Sequence, residues 1–206
     1  MTMFAYEEKE QYETYEWDNV WIDHADDLSL KRVLYIGDSI SCGMRHVATS
    51  LTENKILFDG FGTSKSLDNP YFKDAVKLFA KQESRRDAVI FNNGLHGWHL
   101  DDNEYSYHYE EMLKFLLSEF KNTPIVIILT THISNKERNK QVVSRNNVAK
   151  KLADKYGLPV IDLYTLSLEK AELLSSDGVH FVNEGYTLFA KTLIQSLLEL
   201  LPDINA

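Results

Sequence analysis

A chain of 206 residues with 44% apolar and 26% charged residues is expected to form one globular domain with a full core, with no need of staples. Its 22 basic and 31 acidic residues leave a net charge of −9, which disfavours non-specific binding to nucleic acid or anionic membranes and suits a neutral or cationic substrate. The single cysteine, Cys42, excludes an internal disulfide and cysteine-rich metal sites, and no run approaches the ~20 apolar residues of a membrane span.

The chain opens on an acidic run, Glu7-Glu8-Lys9-Glu10, without the apolar stretch of a signal peptide, so the expected location is the cytoplasm. Residues up to 31 then interleave Tyr12, Tyr15, Trp17, Trp21 and His24 with Asp18, Asp23, Asp26 and Asp27. Such a segment can cover a sheet edge or an apolar surface. It can also form an aromatic lip over a site, because flat rings and carboxylates suit a sugar or an acyl group. No linker composition sets it apart, so residues 1–206 read as a single domain: an extension over 1–31 and an α/β core over 32–206.

The core begins with Val33-Leu34-Tyr35-Ile36, a short buried parallel strand that stops at Gly37. Gly37-Asp38-Ser39-Ile40 follows, and a helix is expected over 41–52, with Met44, Val47, Ala48 and Leu51 on one face. Lys55-Ile56-Leu57-Phe58 reads as a second strand, closed by a tight loop Asp59-Gly60-Phe61-Gly62-Thr63-Ser64. A helix over 71–82 leads to a third strand, Ala88-Val89-Ile90-Phe91, and the loop Asn92-Asn93-Gly94-Leu95-His96-Gly97-Trp98-His99. A helix over 104–120, a fourth strand over 125–129, a helix over 136–156, a fifth strand Val160-Ile161 and a closing helix over 184–201 complete the chain. Five strands alternating with helices predict a three-layer α/β/α sandwich on a parallel sheet, and right-handed crossovers make a flavodoxin-like strand order the economical arrangement.

In an open parallel sheet, ligands gather beyond the carboxyl ends of the strands, which places the Ser39 hydroxyl at an exposed turn near a helix N-terminus. Asp38 and Ser39 also suit an ordinary helix cap. The needed second element is Ser175-Ser176-Asp177-Gly178-Val179-His180, directly before the last helix. A serine hydroxyl needs a base within reach, and the base needs a partner that fixes its tautomer; Ser39, His180 and Asp177 supply those three roles. Acyl transfer also needs donors for a developing oxyanion, and the backbone N–H groups of Ser39 and Gly62 are candidates, with a side chain from the loop after the third strand as a third. His96 and His99, followed by Asp101 and Asp102, form only a weak metal pattern, so neither metal nor cofactor is expected. Cys42 suits a small apolar role in the first helical turn, with a thiol nucleophile as the alternative.

These residues resemble the SGNH, or GDSL, hydrolases. Gly37-Asp38-Ser39 looks like the first block of that family, Gly62-Thr63-Ser64 like the second, Gly94-Leu95-His96 like the third and Asp177-Gly178-Val179-His180 like the fifth, in order over residues 32–190. The resemblance implies the SGNH α/β/α fold and a serine esterase acting on small acyl esters, O-acetyl groups on carbohydrate being a common substrate class. The third block departs from the family, where an Asn amide serves the oxyanion; here His96 stands at that position, and Asn93 takes the role if the register slips. Asp38 and Trp98 are the expected substrate contacts, Trp98 being equally suited to filling core space. A lipase or thioesterase is the alternative within the same chemistry, and a non-catalytic flavodoxin-like binding module the alternative outside it. Asn92-Asn93-Gly94 after the third strand lacks the phosphoacceptor of a receiver domain. The expected partner is a small-molecule or carbohydrate ester, and the sequence sets no oligomeric state.

Overall fold

In chain order the elements are β1 (Asp18–Trp21), β2 (Lys31–Gly37), α1 (Ser39–Leu51), β3 (Ile56–Thr63), α2 (Phe72–Ala80) and β4 (Ala88–Phe91). They continue with α3 (Asp102–Glu119), β5 (Ile125–Ile128), α4 (Lys136–Tyr156), β6 (Val160–Ile161), α5 (Leu163–Glu169) and α6 (Asn183–Leu200). This computed structural model describes residues 12–83 and 85–205, so Glu7-Glu8-Lys9-Glu10 lies outside the described residues.

The sheet runs β1-β3-β2-β4-β5-β6, with every neighbouring pair parallel except β1 against β3. Its five parallel strands therefore follow the expected flavodoxin-like order. The central strands are apolar on both faces, and period-2 alternation sorts them into two cores. Val33, Tyr35, Phe58, Ile90 and Val126 pack with Met44 of α1 and Phe189 of α6. Leu34, Ile36, Val89, Phe91 and Ile127 pack on the other face with Val76 of α2, Leu113 of α3 and Leu152 of α4.

The sheet has six strands rather than five. The sixth is β1, from the N-terminal extension, which pairs antiparallel with β3 in the register Asn19↔Gly62 and Trp21↔Gly60. That pairing explains a second difference: residues 59–63, expected as a loop after the second strand, continue as strand because β1 supplies partners on their open side. The extension thus covers a sheet edge, as one of the two readings had it. Its turn is pinned by Arg32, a fully buried side chain that donates to the backbone oxygens of Asp23, His24 and Asp27 and pairs with Asp59 at 3.1 Å. A guanidinium without water must spend its donors on such partners. No helix among the described residues is long and apolar enough to cross a membrane.

Candidate active site

The carboxyl ends of β2, β4 and β5 and the loop before α6 meet at one rim. Ser39 is the first residue of α1, so its N–H has no partner within the helix, and Asp38 before it is the N-cap, accepting from the Ile40 N–H at 2.9 Å. On the opposite wall, residues 174–181 close on themselves through a Leu174↔Phe181 bridge and a 2.7 Å bond from the Ser175 N–H to the His180 carbonyl. Gly178 has φ +75°, and its carbonyl accepts from the Ser134 N–H at 2.9 Å, which ties this loop to the one after β5.

The turn gathers donors on one carboxylate. Asp177 Oδ1 accepts from the N–H groups of Val179 (2.8 Å) and His180 (2.9 Å) and from the Ser175 hydroxyl (2.8 Å), while Oδ2 faces His180 Nδ1 at 2.8 Å. Those backbone donors first, then the His180 ring and Ser175, hold the Asp177 carboxyl well below the usual carboxylate range. An ionised Asp177 only accepts, so the proton of neutral His180 sits on Nδ1 and Nε2 carries the lone pair. Nε2 lies 2.7 Å from Ser39 Oγ and accepts the hydroxyl proton, joining residues 141 positions apart. The sequence-predicted trio is therefore one hydrogen-bonded chain, and this chain of contacts can abstract a proton from a hydroxyl.

Ser39, His180 and Asp177 open on a cleft of about 640 Å³ that also takes in His96, Trp98 and Trp17. The second reading of the extension, an aromatic lip, also describes what is seen: Trp17 reaches the cleft and meets His96 edge-on, with centroids 6.0 Å apart. Its backbone is held by Ser64, through a 2.8 Å bond from the Trp17 N–H to Ser64 Oγ. Tyr15, by contrast, is 82% exposed, and Trp21 packs on His46 at the edge strand instead.

Three expectations are corrected. Asp38, expected to touch substrate, is 1% exposed and absent from the cleft wall; it is a buried cap whose Oδ2 has no hydrogen-bond partner among the described residues. Burial pushes its carboxyl above the ordinary range. Asn93 is also buried, and its amide N–H donates to the Lys65 carbonyl at 3.0 Å, so His96 rather than Asn93 faces the cleft. Gly62 is a strand residue in register with Gly37, not a loop residue; a Cβ there would come within 2.3 Å of Cys42 Sγ, so Cys42 packs against the back of the turn. Burial raises the Cys42 thiol above its ordinary value.

His99 pairs with Asp68 at 2.8 Å, and among the described residues no three His, Cys, Asp or Glu side chains converge as a metal cage. Sequence reasoning does not single out Glu13 or Arg138, both of which line the cleft. Glu13 arrives with the lip, its Oε1 3.4 Å from His96 Nδ1 and accepting from the Gly97 N–H at 3.2 Å. Arg138 comes from the first turn of α4 and stacks over Trp98 at 4.9 Å. Arg145, two turns further along the same face of α4, sits over the same ring at 4.9 Å and donates to the carbonyls of Gly94, His96 and Gly97. The loop that carries His96 is thus fixed from beneath.

No protein-family model and no curated protein matches the sequence. Among solved structures, a lipase/acylhydrolase from Enterococcus faecalis superposes with a TM-score of 0.66 at 18% identity, over 84% of this chain and 97% of that one. A member of the lipolytic G-D-S-L family from Veillonella parvula gives 0.63 at 20% identity, over 80% and 97%. An acetyl xylan esterase gives 0.64 at 19% identity, over 81% and 99%. The fold is that of the SGNH hydrolases.

Proposed function

We propose that the chain is a serine esterase that removes small acyl groups, with O-acetyl groups on carbohydrate as the substrate class. The observation that carries this reading is the continuous chain of short contacts, Ser39 Oγ to His180 Nε2 at 2.7 Å and His180 Nδ1 to Asp177 Oδ2 at 2.8 Å, at the mouth of the cleft. In this reading His180 takes the Ser39 proton as Oγ attacks the ester carbonyl, and Asp177 stabilises the imidazolium that forms. The backbone N–H of Ser39 and a ring N–H of His96 receive the oxyanion, each worth on the order of 3 kcal/mol, while Gly62, expected as a further donor, pairs with Asn19 of β1 and does not line the cleft. The imidazolium returns its proton to the leaving alkoxide, leaving an acyl-Ser39. Water, deprotonated by the same His180, then releases the acid and restores the hydroxyl.

The carbohydrate part rests on Trp17 and Trp98 in the cleft wall and on the acetyl xylan esterase among the structures of the same fold. A non-catalytic module has no use for a serine, an imidazole and a carboxylate in series, so the catalytic reading is preferred. Turnover of p-nitrophenyl acetate tests it: the wild type is expected to hydrolyse the ester, and Ser39→Ala to lose on the order of 10³-fold or more in kcat. Equal turnover by the two proteins, or none by the wild type, contradicts the proposal.

A further inference from the structure

We propose that the cleft selects esters whose alcohol part carries an anionic group, a carboxylate or a phosphate, and that Arg138 is the side chain that recognises it. This deepens the esterase reading and rests on it; because the acyl group in that reading is small, the anion belongs to the alcohol.

Among the described residues, and besides the histidines, three charged side chains face the cleft: Glu13, Asp177 and Arg138. The two carboxylates are occupied within the protein, Asp177 by Ser175, Val179 and His180, and Glu13 by the Gly97 N–H beside His96. Arg138 has no such counterpart. Its backbone N–H donates to the N-cap Asn135, but among the described residues no ion pair or side-chain hydrogen bond engages its guanidinium. The group is nevertheless held in place, because its carbon sits 4.9 Å from the Trp98 ring centroid. A cation–π contact gives the guanidinium N–H groups no oxygen acceptor, and a carboxylate or phosphate supplies two in a two-point contact.

Two further observations separate this arginine from ordinary surface charge. It stands in the first turn of α4, where the helix dipole works against a cation, so helix stability does not account for it. The chain as a whole carries a net charge of −9, so a cation at the cleft is not part of a generally basic surface. Net charge alone suggested a neutral or cationic substrate, and the two carboxylates of the cleft outnumber its one arginine; what points the other way is the guanidinium of Arg138, whose N–H groups neither carboxylate engages.

The test compares three acetyl esters that share an acyl group and a sugar ring: a neutral acetylated hexoside, the corresponding acetylated uronic acid and an acetylated hexose phosphate. The wild type is expected to show kcat/KM about tenfold higher for an anionic ester than for the neutral one, the size of a partly solvated charge-assisted contact. Arg138→Gln brings that ratio near one, Arg138→Glu below one, and molar salt lowers the wild-type ratio. Arg138 is exposed and outside the core, so these substitutions leave the fold standing. Whichever anionic ester gives the larger ratio identifies carboxylate or phosphate as the recognised group. Turnover of all three esters at equal efficiency, or a ratio unchanged in Arg138→Gln, overturns the proposal while leaving the esterase reading intact. Failure of the wild type on all three while it still hydrolyses p-nitrophenyl acetate overturns the carbohydrate substrate class and this proposal with it, and failure on p-nitrophenyl acetate as well overturns the esterase reading itself.

Discussion

At the scale of single residues, the sharpest conflict is at Asp38. The turn needs its Oδ1 to cap α1 beside the nucleophile, yet the carboxylate is buried and Oδ2 has no partner among the described residues. Because burial raises its folded-state value above the unfolded one, the folded state holds the proton more tightly, and its stability declines as pH rises through that range. Asp38→Asn keeps an oxygen for the Ile40 N–H and removes the charge. It is therefore expected to raise the Tm at pH 7, with the gain shrinking towards pH 4. Thermal unfolding of both proteins at the two pH values checks this. A lower Tm at pH 7 means the carboxylate is stabilised by its neighbours more than burial penalises it.

At the scale of elements, the loop from Ser175 to the start of α6 does most to shape the chemistry, and Gly178 is its pivot. A φ of +75° costs a side-chain-bearing residue about 1–2 kcal/mol, and a Cβ there would come within 2.0 Å of Ser134 Oγ. Gly178→Ala must therefore shift the turn that aims Asp177 and His180, and small misplacements in such a constellation cost on the order of 10²-fold in rate. Gly157→Ala is the matched comparison: it has φ +65° at the end of α4, and an added Cβ there meets nothing within 4 Å. The expected result is a loss of Tm in both variants, larger in Gly178→Ala because of the contact with Ser134, with a large loss of kcat/KM only in Gly178→Ala. Full kcat/KM in Gly178→Ala contradicts this view of the loop. The elements also show what could be read without coordinates. β4 and β6 announce themselves as apolar runs, and α4 keeps its expected bounds because Asn135 caps one end and Gly157 the other. β1 is silent in the sequence because all four of its residues are exposed and two are Asp and Asn, which local preference assigns to turns. α5 is too short for a period to declare itself, and only its cap, Asp162 accepting from the Thr165 N–H, marks it. Ser39 was legible because its motif falls at the end of β2, and Asp177 and His180 because theirs falls in the loop directly before α6. Glu13 and Arg138 were not, because only the fold carries the lip and the start of α4 to the same cleft.

At the scale of the whole molecule, the account depends on convergence. The parallel crossovers bring β2, β4 and β5 to one rim, and the antiparallel addition of β1 carries the N-terminal segment over the same rim, so residues from both halves of the chain line one cleft. Cys42, three residues beyond Ser39, is the competing nucleophile, but burial keeps its thiol protonated at neutral pH and its sulfur packs against Gly62. The most direct measurement is therefore the site of modification by a fluorophosphonate ester at pH 7, mapped by mass spectrometry of the digested protein. The account predicts a single adduct on Ser39, formed by attack of Oγ on phosphorus with loss of fluoride, and lost when the protein is unfolded in urea or carries His180→Ala. An adduct on Cys42, or labelling of Ser39 that survives His180→Ala undiminished, would contradict it.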